Sequence, residues 1–459
     1  MWRDRVEAEL GPDAVTRRLR AMTEDGIPIE PLYAPGGPGD GEARNLAGLV
    51  VGLLPGGEAG FRIRQRFPLS TPRAVLDAAI SGGVQSLEFL VREGERPGAA
   101  LAAALEGLDV GTVGLSFEDM SAAQRASDAA AFATFQVSWG IDPIGRALRR
   151  GGAADGLRSE LLALQHATGS GEVHLQLRAS GEAFFDAGAT IGMTLGATLA
   201  TAVAYLRAVD DGGADPAWAA GTIEMRLPCG PRLFESVAML RAARLAWARV
   251  LDVGGIAPLP LRLVATSGRR VLTRHDPWVN ALRNTAVAFA AAVGGADLLQ
   301  LLPHDARAAE PGAAALRLAR TTGLILREES SLRRVLDPAE GSWFLESLTA
   351  QLAEDAWAEL RRLDAAGGIV SVIESGELSR RIADAASARH DRVRARRHPI
   401  IGVTEHPVAG EVAPRAPLEI AEEAGGSRPF PFRPDALPFE QLRDAEALEQ
   451  VPRAEGDAR

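Results

Sequence analysis

Side chains able to move protons fall at the ends of short apolar runs along this chain: Glu118, Asp142, Ser180 with Glu182, Arg226, Thr266 with Ser267, His304 with Asp305, and Asp337 with Glu340. His304 beside Asp305 has the composition of an oriented general base, and Asp337 with Glu340 that of a carboxylate pair. Each also has a plainer reading. Asp337 and Asp276 precede proline, as turn and helix-capping residues do, and His304 follows Leu301 and Leu302 as the close of a strand. The remaining histidines, His166, His174, His275, His390, His398 and His406, stand singly, without the spacing of metal ligands. No G-x-G-x-x-G follows a strand, and no G-x-S-x-G elbow occurs.

Composition removes further classes of chemistry. All 50 basic residues are Arg, so a Schiff-base lysine, a lysine nucleophile and a P-loop lysine are excluded. The single cysteine, Cys229, rules out an internal disulfide and a Cys-rich zinc site. A net charge of −10 argues against a nucleic-acid partner. The N-terminus is charged, and no apolar run reaches the roughly 20 residues of a membrane span, so the expected location is cytoplasmic with no membrane partner.

What could position these side chains is a repeated alternation of helix and strand. Residues 261–266 form a short apolar run, Asp276-Pro277 opens a helical pattern closed by Gly294-Gly295, and residues 297–302 form a second run ending at Pro303-His304-Asp305. Earlier strands are expected at 85–91, 111–117, 134–139, 173–177 and 222–227, with helices between them that include 155–166. A helix over 316–327 leads to an eighth strand at 334–336. Eight such units imply an α/β fold, a (β/α)8 TIM barrel with its working groups at the C-terminal ends of the strands. The expected domains are an N-terminal helix and extended arm over 1–69, the barrel over 70–345, C-terminal helices over 346–398, and a Pro-rich, acidic, linker-like tail over 399–459. On chemistry alone this is a barrel without an obvious engine.

Several stretches together are similar to the methylmalonyl-CoA mutase family: TEDGIPIEPLY from Thr23, FRIRQRF from Phe61, LRAARLAWARV from Leu240, TSGRRVLTRHDPWVNALRNT from Thr266, GGADLLQLLPHD, ILREESSLRRVLDPAEGSWFLE from Ile325, and IIGV from Ile400. They occur in the family's order over most of the chain. The resemblance implies isomerisation of methylmalonyl-CoA and succinyl-CoA through an adenosylcobalamin radical, with the thioester threaded along the barrel axis.

Against that pattern the chain departs at the reactive positions. Catalytic members carry G-Y-H-M-Q-E-A-G-A; the matching text here runs from Gly181 to Ala189 and puts Ala183 where the carbonyl-polarising histidine belongs. The radical-separating tyrosine is missing, LPGGEAG standing ahead of Phe61, and the only tyrosines are Tyr33 and Tyr205. The cobalt-ligating D-x-H-x-x-G has no match, the nearest text being that around His406, and Leu298 to Leu302 would crowd a channel. The resemblance therefore implies a non-catalytic small subunit of a heterodimeric mutase, lacking the corrin domain and binding no cofactor itself. Adenosylcobalamin would sit in the partner large subunit, with Ile29, Pro31, Leu32 and Tyr33 as the partner-binding arm. Arg226, Thr266, Ser267, His304 and Asp337 would lie at the barrel mouth. The alternative is a catalytic acyl-CoA mutase chain served by a separately encoded cobalamin-binding subunit.

Overall fold

Parallel strands alternating with helices bury both faces of their sheet, and that burial governs this chain. The computed structural model describes residues 2–35, 60–91, 95–107, 113–118, 120–132, 137–150, 161–162, 177–307, 312–408 and 444. Within them lie eight parallel strands: β1 (Arg62–Pro68), β2 (Ser86–Leu90), β3 (Gly114–Glu118), β4 (Val137–Ser138), β5 (Arg178–Ser180), β6 (Glu224–Cys229), β7 (Arg262–Ser267) and β8 (Leu298–Gln300). Their hydrogen-bonded order is β4-β3-β2-β1-β8-β7-β6-β5. A parallel bridge between Ile141 and Leu177 joins the two ends and closes the curl. The sheet is that of a (β/α)8 barrel.

The strands alternate with a period of two. In β1, Ile63 and Phe67 join the layer between sheet and helices, while Arg64 and Arg66 point the other way, into the bore. The same alternation runs through Leu87 and Phe89 against Ser86 and Glu88, and through Met225 and Leu227 against Glu224 and Arg226. On the outer face Phe67, Phe89, Phe117 and Trp139 stand in a row with neighbouring ring centroids 6.5, 6.3 and 5.5 Å apart.

Two of the expected strands are corrected. The first strand lies at β1, ahead of residue 70, and pairs directly with β8. Residues 334–336 form no strand: Leu332–Arg334 is a 3-10 turn, and Val335 and Leu336 are 57% and 52% exposed. The count of eight stands, displaced by one strand. The expected helix over 155–166 and strand over 173–177 fall outside the described residues except for 161, 162 and Leu177.

Six helices frame the site: α1 (Ile191–Asp211), α2 (Leu233–Val253), α3 (Pro277–Val293), α4 (Ala313–Leu324), α5 (Trp343–Ala365) and α6 (Glu377–Arg394). Thr190 caps α1 by accepting from the Met193 amide at 3.4 Å. By length and composition α1 is apolar enough to cross a membrane, contrary to the expectation of no such run, yet 72% of its most apolar window is buried against the rest of the molecule. Gly196 explains the fit: a Cβ there would stand 2.5 Å from Glu359 Cβ of α5.

Candidate functional site

Four arginines and four glutamates meet inside the barrel. Arg64 forks onto Glu224, Nη1 and Nη2 donating to its two carboxylate oxygens at 2.8 Å each, and Arg64 Nε donates to Ser86 at 3.0 Å. Since β1 and β6 are not neighbours, this pair spans the bore. Arg178 Nε donates to Glu224 at 2.9 Å, its Nη2 to Ser116 at 2.9 Å, and it stands 3.0 Å from Glu88. Arg66 Nε reaches Glu88 at 3.0 Å and Glu118 at 2.8 Å. Arg226 donates to Glu88, to Glu118 at 3.3 Å and to Glu182 at 3.4 Å. Gln300 adds a donor to Glu88 at 2.7 Å.

Burial is nearly complete, the side chains being 0 to 12% exposed. Desolvation opposes ionisation of every member, and pairing decides the outcome. Burial pushes Glu88 up, but Arg226, Arg178, Arg66 and Arg64 together hold it well below the usual carboxylate range. Glu224 is depressed likewise by Arg64 and Arg178 against its burial. Glu182 is brought to about 2 by Arg226 and Arg66, again against burial. Glu118 goes the other way, raised by burial and by the nearby Glu88 in excess of what Arg66 removes. For Arg226, burial lowers and the four carboxylates raise, leaving it well above the ordinary value.

Each carboxylate therefore has two or more guanidiniums within 4 Å, and the cluster neutralises itself. Arg226 Nε and Glu118 Oε2 nevertheless make no hydrogen bond. Ala183 lies just beyond, in the short helix Glu182–Asp186, 3% exposed between Glu182 and the buried Phe184 and Phe185.

The other sequence candidates scatter. Asp142 accepts from the Tyr205 hydroxyl at 2.6 Å and the Gly145 amide at 2.9 Å, tying the turn after β4 to α1. The Ser267 hydroxyl donates to Asn284 at 2.8 Å and accepts from the Leu302 amide at 3.2 Å. Thr266 is buried with no partner for its hydroxyl. His304 stacks on Trp278 at 4.4 Å, and its Nδ1 makes no hydrogen bond, so it is not an imidazole oriented by Asp305. Asp337 is corrected as a barrel-mouth residue. It follows no strand and pairs with Arg241 of α2, which also holds Glu346 at 2.9 Å, while Glu340 is exposed and makes no carboxylate pair with it.

The arm lies partly on its own barrel. Ile29 pairs with Ala21 in a short antiparallel ladder, the Tyr33 ring sits 5.1 Å from Phe344, and Asp25 accepts from the Gly192 amide at the start of α1 at 2.9 Å. Pro31 and Leu32 remain exposed.

Sequence reasoning singled out Glu118, Glu182 and Arg226 but missed Arg64, Arg66, Glu88, Arg178 and Glu224. Their signal was present: charges alternating with apolar residues in strands whose two faces are both buried.

Comparison with known proteins finds relatives over most of the chain. A family model described as methylmalonyl-CoA mutase matches residues 172–428. The methylmalonyl-CoA mutase small subunit of Streptomyces virginiae is 36% identical over 431 residues, covering 88% of this chain and 69% of the relative. The probable methylmalonyl-CoA mutase small subunit of Mycobacterium tuberculosis (strain ATCC 25618 / H37Rv) is 36% identical over 466 residues, covering 95% of this chain and 72% of the relative. The large subunit of the Streptomyces virginiae enzyme is also 36% identical, over 227 residues that cover 49% of this chain and 31% of that protein.

Proposed function

This chain belongs to the methylmalonyl-CoA mutase family, and from that premise we propose that it acts as the non-catalytic small subunit of a two-subunit mutase, the isomerisation being carried by a large subunit that holds adenosylcobalamin. The observation that carries the reading is the filled bore. A thioester threaded along the axis would have to displace four arginines and four glutamates that are already paired with one another. Removing one partner from a buried pair costs about 3–5 kcal/mol, and a pantetheine chain offers no charges in exchange.

The fit to the corrin is also poor. A corrin needs one protein imidazole for its cobalt, and the family's D-x-H-x-x-G, which would supply it, has no match in this sequence. His406, the nearest sequence position to the family's cobalt ligand, is exposed in a turn with φ of 52°. No step through the cofactor is assigned to this chain. Its contribution is a binding surface, for which the exposed Pro31 and Leu32 of the arm are the first candidates.

The test is purification of the chain alone and together with its large subunit. Methylmalonyl-CoA turnover, with adenosylcobalamin supplied, is expected only when the large subunit is present, and that subunit's solubility or activity is expected to fall when this chain is left out. Turnover by this chain with only a free-standing cobalamin-binding protein would overturn the proposal.

A further inference from the structure

A cavity of about 300 Å³ opens beyond the ends of β6 and β7, and none of the eight bore charges lines it. Its walls are apolar over most of their extent, with Phe185, Met239, Val279, Ala286 and Ile400 among them. Its charged lining includes Arg270 with Glu24, Arg232, Glu235 and Arg283. The Arg270 guanidinium lies 3.6 Å over the Phe185 ring, and Nη1 donates to the carbonyls of Phe185 at 2.8 Å and Ala189 at 2.7 Å. The side chain is 6% exposed, and its Nε has no hydrogen-bond partner. A buried donor left open costs about 1–3 kcal/mol, more when charged. Burial and the adjacent Arg389 lower Arg270 to about 10, against the pull of Asp444, Glu24 and Asp186.

One carboxylate faces that donor, and it comes from far along the chain. Asp444 Oδ1 stands 3.7 Å from Arg270 Nε and 3.7 Å from Arg389 Nε, and the Asp444 amide donates to the Arg270 carbonyl at 3.0 Å. Arg389 is already engaged by Glu24 at 2.7 Å. The Arg270 amide donates to Asp186 at 3.2 Å, but among the described residues no carboxylate other than Asp444 lies within 4 Å of the guanidinium. The distances are those of a charge contact rather than a hydrogen bond, so Asp444 occupies the site without saturating it.

We propose that this cavity is a carboxylate-binding site, taking an acid with a short apolar chain, and that Asp444 is its tethered occupant, supplied by the chain's own C-terminal segment. The open Nε receives the acid head and the apolar walls take the chain. Asp444 competes by virtue of its effective concentration, as a linked ligand does.

Hexanoate binding, measured by calorimetry on the full chain, tests this. Asp444→Ala is expected to tighten binding by about tenfold or more, the loss of a tethered competitor. Adding Ala286→Phe, a filling change at a half-buried position of α3, is expected to abolish binding while the unfolding midpoint is retained. Asp444→Ala binding hexanoate no better than the parent chain would overturn the proposal. So would hexanol binding as well as hexanoate, since the site would then be apolar only, or hexanoate binding that survives Ala286→Phe.

Discussion

Glu182 shows how residue-scale electrostatics turns into stability. Its carboxyl is held at about 2 by Arg226 and Arg66 against the penalty of burial. A depressed folded pKa contributes stability that is complete above the unfolded value near 4.5 and is lost as pH falls toward the folded value. Asp186 has the opposite sign. Burial raises it to about 6, with Glu182 adding to the rise against the pull of Arg269, so the folded state gains stability as pH falls from about 6 toward the ordinary aspartate value. Glu182→Gln is expected to flatten the first window, because it removes that group, and to narrow the second only slightly, because burial is the main cause of the Asp186 shift. Urea unfolding followed from pH 7 to pH 2 checks this, and a curve parallel to that of the parent chain would contradict it. At this scale Glu182, Glu118 and Arg226 were legible as strand-end charges. The alternation in FRIRQRF marks Arg64 and Arg66 as sharing one face of a strand, but it does not say whether that face meets water or carboxylates.

Between elements, close approach and buried pairing do the holding. Gly196 lets α1 lie against α5 at the point where Glu359 also receives Arg381 of α6 through two bonds of 2.8 and 2.6 Å. Gly196→Ala would drive a Cβ into Glu359 and is expected to destabilise by about 1–3 kcal/mol, the range for overpacking. The gain in helix propensity, up to about 1 kcal/mol, is too small to offset it fully. Chemical denaturation reads the difference, and an unchanged or raised midpoint would show that the helices separate freely. Arg241 joins α2 to Asp337 and to Glu346 of α5, with 0% of its side chain exposed. Arg241→Met strands two buried carboxylates and is expected to cost about 3–5 kcal/mol at pH 7. Here the sequence misled: a short run before Asp337 was taken for a strand, whereas its aspartate is used to pin one helix to another.

Across the whole molecule, the absence of the expected histidine and the packing of the bore stand, under the proposed function, as separate obstacles to catalysis. Ala183→His would restore an imidazole at the matching position. It is nevertheless expected to give no turnover of methylmalonyl-CoA with adenosylcobalamin and without a large subunit, because Arg66, Arg226 and their carboxylates still fill the axis. The site is also 3% exposed, so the larger side chain should lower stability through overpacking. Appearance of activity in that variant would mean that the network opens readily.

Alternation of apolar runs with helical patterns was enough to determine an eight-stranded barrel, and the family motifs with their departures at Ala183 and the missing tyrosine were readable residue by residue. Period and composition are local properties, so a linear reading captures them. Which strand is first, whether inward charges meet water or one another, and that Asp444 reaches Arg270 from 174 positions away were decided only by closure of the sheet. A buried charge is stable only in company, and its company comes from strands and segments that are neighbours in space rather than in sequence.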